Sequence, residues 1–133
     1  MTESDAKLLN IQTLAFLGDS VFELYIREHL ALKGSQPSGK LHAASVKYVC
    51  AAAQARLYNF LETSLNEEEL RILKRGRNYS EGHPPRNAEV IDYRKATAVE
   101  ALFGYFYLTK QANRLENLTE IMVSLADAAE ISL

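Results

Sequence analysis

Two carboxylates stand inside strongly apolar stretches of this chain. Asp19 lies in Leu17-Gly18-Asp19-Ser20-Val21-Phe22-Glu23-Leu24, and Glu100 lies in Ala98-Val99-Glu100-Ala101-Leu102-Phe103-Gly104-Tyr105-Phe106-Tyr107-Leu108. Taking an ionised carboxylate out of water costs several kcal/mol unless something compensates it. A chain that does this twice, and can bring the two acids together, has the makings of a divalent-cation site. A hard cation such as Mg2+ takes oxygen ligands and is commonly held by only one or two carboxylates plus waters. Such an ion polarises a phosphoryl oxygen and lowers the pKa of a bound water, so metal-dependent phosphodiester chemistry is the first expectation. Glu23 follows Asp19 by one helical turn on the same face and reads as a supporting or ion-paired carboxylate. The competing readings are structural: a helix N-cap for Asp19 and a buried salt bridge for Glu100.

The elements that must position these acids are helices. Apolar residues recur at spacings of three and four and nowhere alternate, which points to a compact all-α bundle of about six helices. The expected helices run from about Ser4 to Ala15, from Asp19 or Ser20 to Leu32, from Lys40 to Glu62, from about Asn66 to Arg75, from Ile91 to Leu108 and from Gln111 to Ala129. Asp19 or Ser20 is a candidate cap for the second, and Gly34 ends it. Asn66 followed by Glu67, Glu68 and Glu69 is a strong helix start. Gly76, Gly82, Pro84 and Pro85 make the segment from Gly76 to Val90 read as a loop. The fifth helix has no broad polar face after Lys95, so it belongs in a core or an interface. Its small residues Ala96, Ala101 and Gly104 let a neighbour approach closely, which aims Glu100 at a tight helix contact or a narrow polar pocket.

A length of 133 residues suits a single domain, 1–133, with one core. Apolar residues at 47% and charged residues at 24% give an ordinary globular balance. The net charge of −2 advertises no nucleic acid, but the charge is unevenly spread. Lys33, Lys40, Lys47 and Arg56 occur without an intervening acid, and Arg71, Lys74, Arg75, Arg77, Arg86, Arg94 and Lys95 outnumber Glu81, Glu89 and Asp92. A basic middle can bind phosphates even in a mildly negative protein. Cys50 is the only cysteine, which excludes a disulfide framework within one chain, fits a reducing cytoplasm, and reads as a small buried hydrophobe. A polar N-terminus and the lack of a long apolar run argue against a signal peptide or a membrane span. His29, His42 and His83 lack the spacing of a shared metal site, and Tyr105, Phe106 and Tyr107 read as core or dimer interface.

The run from Leu14 to Leu24 resembles the signature of the ribonuclease III catalytic domain, and the run from Ala98 to Leu108 resembles that family's second acidic motif. Order and separation also match. The short length, with no double-stranded-RNA-binding domain following, is similar to the Mini-ribonuclease III branch. The segments Lys74-Arg75-Gly76-Arg77-Asn78 and Tyr93-Arg94-Lys95-Ala96-Thr97-Ala98 fit that branch. The resemblance implies an all-helical fold, a symmetric homodimer, and Mg2+-dependent hydrolysis of double-stranded RNA, with Mn2+ as a substitute metal. It further implies 5′-phosphate and 3′-hydroxyl products, one strand cut per protomer, and a role in maturing the ends of 23S ribosomal RNA precursors. By motif position, Asp19 and Glu100 are the principal metal-binding and catalytic carboxylates. Three positions that are usually acidic in the family are neutral here, namely Gln12, Ala15 and Thr97, so the ligand set is sparse.

A domain working alone must grip duplex RNA itself, through shape, phosphates and 2′-hydroxyls. Lys74, Arg75 and Arg77 are the best phosphate-binding candidates, Arg86 can reach a groove, and Asn78 can hydrogen-bond a sugar or a base edge. Two other classes of function remain: a non-catalytic RNA-binding module of the same fold, and a helical adaptor that presents its apolar fifth helix to a protein partner.

Overall fold

A computed structural model describes residues 1–79 and 88–131. Among the described residues there are seven helices and no strand: α1 Glu3–Lys7, α2 Ile11–Ala31, α3 Ser38–Val49, α4 Ala51–Leu61, α5 Glu67–Asn78, α6 Ala88–Leu108 and α7 Ala112–Ile131. The all-α expectation holds, with one helix more than expected.

α6 is the axle of the bundle. It packs against α2, α5, α4, α7 and α1, which is why its sequence is apolar all round. Val99, Leu102, Phe103 and Phe106 are all fully buried, and Phe103 meets Phe22 of α2 edge to face at 5.2 Å between ring centroids. This disposes of the adaptor reading, because the apolar surface of the fifth expected helix is the protein's own core. No described helix is long and apolar enough to cross a membrane.

Three boundaries differ from expectation, the first for a local reason and the other two through tertiary packing. The N-cap of α2 is Asn10, whose side chain accepts from the Thr13 amide at 2.8 Å. Asp19 is therefore in mid-helix and caps nothing. The expected helix from Lys40 to Glu62 is two helices, since Cys50 is extended (φ −69°, ψ 155°) and ends α3 before α4 begins. No glycine or proline marks that break. α3 packs on α2, α4 packs on α6, and both also touch α7, with the chain turning at Cys50 between them. Finally, Gly76 does not open a loop. It is buried inside α5, where an added Cβ would lie 2.6 Å from the Ala98 Cα, so its smallness lets α5 press against α6. The capping box at Asn66 and Glu69 is as expected, and Glu69 is further held by Arg114 of α7 through Nη2 at 2.9 Å and Nε at 3.1 Å. Cys50 is half-buried.

Candidate active site

The crossing of α2 and α6 makes the site. Gly18 and Gly104 lie at the contact: a Cβ on Gly18 would fall 1.6 Å from the Glu100 carbonyl oxygen, and one on Gly104 would fall 2.1 Å from that of Leu14. Two helices so close bring the side chains flanking the crossing within reach of each other. Asp19 follows Gly18 on α2, and Glu100 lies one turn before Gly104 on α6. The two carboxylates line the same cleft, close enough for Asp19 to act on the charge of Glu100.

Their environment raises the proton affinity of Glu100. Burial comes first, then the hydrogen bond and charge of Asp19, and together with Glu23 they push its pKa up from 4.5 to about 8. The side-chain amide of Gln54, on α4, opposes this by donating to Glu100 Oε2 at 3.5 Å. Glu23 is half-buried and pairs with Arg27 at 3.7 Å, which fits the expected supporting or ion-paired role.

A cleft of about 390 Å³ opens over the pair. One wall is a stripe of α2 that carries Gln12, Ala15 and Asp19, and the other is a stripe of α6 that carries Tyr93, Thr97 and Glu100. All three positions that are neutral against the family pattern thus line the same cleft as the two acids. Thr97 is satisfied by its own helix, its hydroxyl donating to the Tyr93 carbonyl at 3.0 Å. Gln12 donates to the hydroxyl of Tyr79 at the end of α5. Arg94 also lines this cleft.

Among the described residues no group of three or more histidines, cysteines, aspartates or glutamates gathers as a metal site. The donor set is two carboxylates, all hard oxygen. That set fits Mg2+ or Mn2+, which bind through one or two carboxylates and draw the remaining oxygens from water and substrate phosphate, and it fits no thiophilic metal. Burial and the neighbouring Asp19 both favour the protonated form of Glu100, as expected for two carboxylates that share a site.

The basic candidates divide. Lys74, Arg75 and Asn78 line one groove with Arg71, and Tyr79 belongs to both that groove and the acidic cleft. Arg75 is also structural. Its guanidinium donates to the carbonyls of Lys7 at 3.3 Å and Leu9 at 3.2 Å, clamping the link between α1 and α2. Arg77 is turned toward α4, where its charge acts on the Tyr58 hydroxyl. Arg86 and His83 lie outside the described residues. The sequence reading missed Gln54, although a lone amide in Ala51-Ala52-Ala53-Gln54-Ala55 was a visible signal.

The ribonuclease III domain family model matches residues 12–111. The chain belongs to the ribonuclease III family. Mini-ribonuclease 3 of Streptococcus pneumoniae is 47% identical over 116 residues, which are 86% of this chain and 91% of that protein. Mini-ribonuclease 3 of Staphylococcus aureus is 39% identical over 127 residues, 94% of this chain and 95% of that protein. A crystal structure of a Fusobacterium nucleatum protein matches with a TM-score of 0.76 and 32% identity, covering 86% of this chain and 93% of that one. This ribonuclease III-type chain is therefore an endoribonuclease of the Mini-ribonuclease 3 kind, from a family that generally depends on a divalent metal. The two motifs read from the sequence, around Asp19 and Glu100, both fall inside the matched span.

Proposed function

We propose that this ribonuclease III-type chain works as a homodimer that cleaves double-stranded RNA with Mg2+, one strand per protomer, leaving 5′-phosphate and 3′-hydroxyl ends. Its proposed substrate is the precursor of 23S ribosomal RNA. The observation that carries this reading is the convergence of Asp19 and Glu100 on the walls of one open cleft.

In this reading Asp19 and Glu100 hold the cation. When bound, it supplies charge for a phosphoryl oxygen and a water of lowered pKa. Burial and Asp19 favour the neutral form of Glu100, and a dication held by the pair would favour its ionised form instead. The α2 and α6 stripes set the width of the cleft, so only a backbone presented at its mouth meets both acids. Lys74 and Asn78, with Arg71, continue the surface beyond Tyr79 and suit the phosphates and sugars of a neighbouring turn of duplex. Arg75 adds charge there, Arg77 adds it on the α4 side, and Arg86 belongs to the same proposed RNA-binding set.

Dimerisation is supported by the outer face of α2. Phe16 is 83% exposed and Leu24 is 59% exposed, two turns apart on one side of the helix that bears Asp19. Large apolar side chains at that spacing are an interface signature when none of the described residues covers them.

The test is cleavage of a duplex RNA carrying the paired ends of a 23S precursor. Asp19→Asn and Glu100→Gln are expected to abolish Mg2+-dependent cutting while duplex binding persists. Cleavage at the parent rate by either variant rejects the assignment. Sedimentation of the parent as a monomer at working concentration rejects the dimer.

A further inference from the structure

Gln54 is 4% exposed, and the buried face of α4 around it is largely apolar, with Ala53, Leu57 and Leu61 in the core. A leucine or methionine would fill the same place without a polar group to satisfy. Burying an amide costs free energy unless it is hydrogen-bonded. The partner it finds is Glu100, with Nε2 3.5 Å from Oε2. Glu100 therefore stands between two groups from two helices, Asp19 of α2 and Gln54 of α4. Gln12, Ala15 and Thr97 surround the same cleft and add no charge.

We propose that Gln54 is a positioning residue for the cation, its amide holding the Glu100 carboxylate toward Asp19 so that two acids suffice where three neighbouring positions are neutral. The inference rests on the reading of Asp19 and Glu100 as the ligands. Its physical basis is general. An acid fixed in orientation by a donor behind it loses less freedom on binding a metal, and such outer partners are worth about 10–100-fold in affinity or activity. The cation's affinity here depends on orientation more than on charge count, so the donor matters more than it would beside four acids.

The variants are Gln54→Met and Gln54→Leu, which keep the volume and remove the donor. Calorimetric titration of RNA-free protein with Mn2+ is expected to show affinity weakened by about 10-fold or more. Duplex cleavage is expected to need correspondingly more Mg2+ for half its maximal rate, to recover at saturating Mg2+, and to keep the parent's affinity for duplex. Parent-like Mn2+ affinity and Mg2+ requirement in a folded variant overturn the proposal. A second arm uses only the parent: substoichiometric Mn2+ is expected to broaden the 15N side-chain amide resonance of Gln54 together with the backbone resonance of Glu100. Broadening at Glu100 that spares Gln54 overturns the positioning role, and this arm decides the matter if neither variant folds. A parent that binds no Mn2+ at all overturns the ligand reading itself, and the inference with it.

Discussion

Gly18 of α2 rests directly on Gly104 of α6: a Cβ built on Gly18 would lie 2.8 Å from the Gly104 amide nitrogen, and one built on Gly104 would lie 3.2 Å from that of Gly18. The contact sets how far apart Asp19 and Glu100 stand, since each acid is attached within a turn of it. Catalytic geometry and core packing are thus one feature, and a change to either glycine acts on both.

Gly18→Ala is expected to be among the most damaging single-atom additions in the chain. The new methyl meets backbone, at 1.6 Å from the Glu100 oxygen, and backbone cannot swing aside as a side chain can. Separating α2 from α6 should cost about 3 kcal/mol or more, read by urea or thermal unfolding. Gly39→Ala is the control, because nothing lies within 4 Å of that position.

Glu100→Gln should stabilise the metal-free protein at alkaline pH. The folded pKa of Glu100 is raised from 4.5 to about 8, so the native state binds the extra proton across that window. Stability contributed by the neutral acid is fully present below the lower value and is lost as pH rises through the upper one. Glutamine stays neutral throughout. Its melting-temperature advantage over the parent should therefore grow from pH 5 to pH 8 in chelator-treated buffer. A relief of about 1 kcal/mol would appear as roughly 3–6 °C. Equal pH profiles for the two proteins would contradict the burial and charge repulsion described for Glu100.

Lys74→Ala and Arg75→Ala should part company despite their adjacency. Lys74 is exposed and lines the groove, so its loss should leave stability within about 0.5 kcal/mol and reduce the salt dependence of duplex binding by about one counterion. Loss of Arg75 removes two hydrogen bonds to the carbonyls of Lys7 and Leu9 and should also destabilise by about 1–2 kcal/mol. Chemical denaturation and binding at several salt concentrations separate the two effects.

His29 should make the fold acid-sensitive. Its Nε2 is buried without a hydrogen-bond partner, and its ring meets Tyr48 edge to face at 5.9 Å. Burial first, and then the charge of Lys33, lower its pKa below 6.5, with Asp127 opposing and Lys47 adding to the effect. A histidine kept neutral in the fold contributes stability that is present above its unfolded pKa and is lost as pH falls through its folded one. His29→Phe should flatten the decline in melting temperature below about pH 6.5. An unchanged decline would assign the acid sensitivity elsewhere.

Much of this protein is written in local pattern. The apolar character of α6, the capping box at Asn66 and Glu69, and the small residues flanking Glu100 are properties of residue type and spacing, so they were legible without coordinates. The choice of Asp19 and Glu100 was legible from their apolar runs, although the structure leaves Asp19 exposed and only Glu100 half-buried. The sparse acid set was legible too, at Gln12, Ala15 and Thr97. A second local pattern, Asn10 with Thr13, took the cap that Asp19 was expected to supply and left Asp19 in mid-helix where it can face α6. Tertiary contact alone decided the rest. The packing of α3 on α2 and of α4 on α6 goes with the break at Cys50, and it carried Gln54 to Glu100. Packing turned Arg75 onto two backbone carbonyls and Arg77 toward Tyr58, out of one basic cluster. In each case the partner is distant in sequence, and no local propensity encodes which distant group a side chain will meet. Residue type determined which groups could do the chemistry; the α2–α6 crossing decided which of them meet.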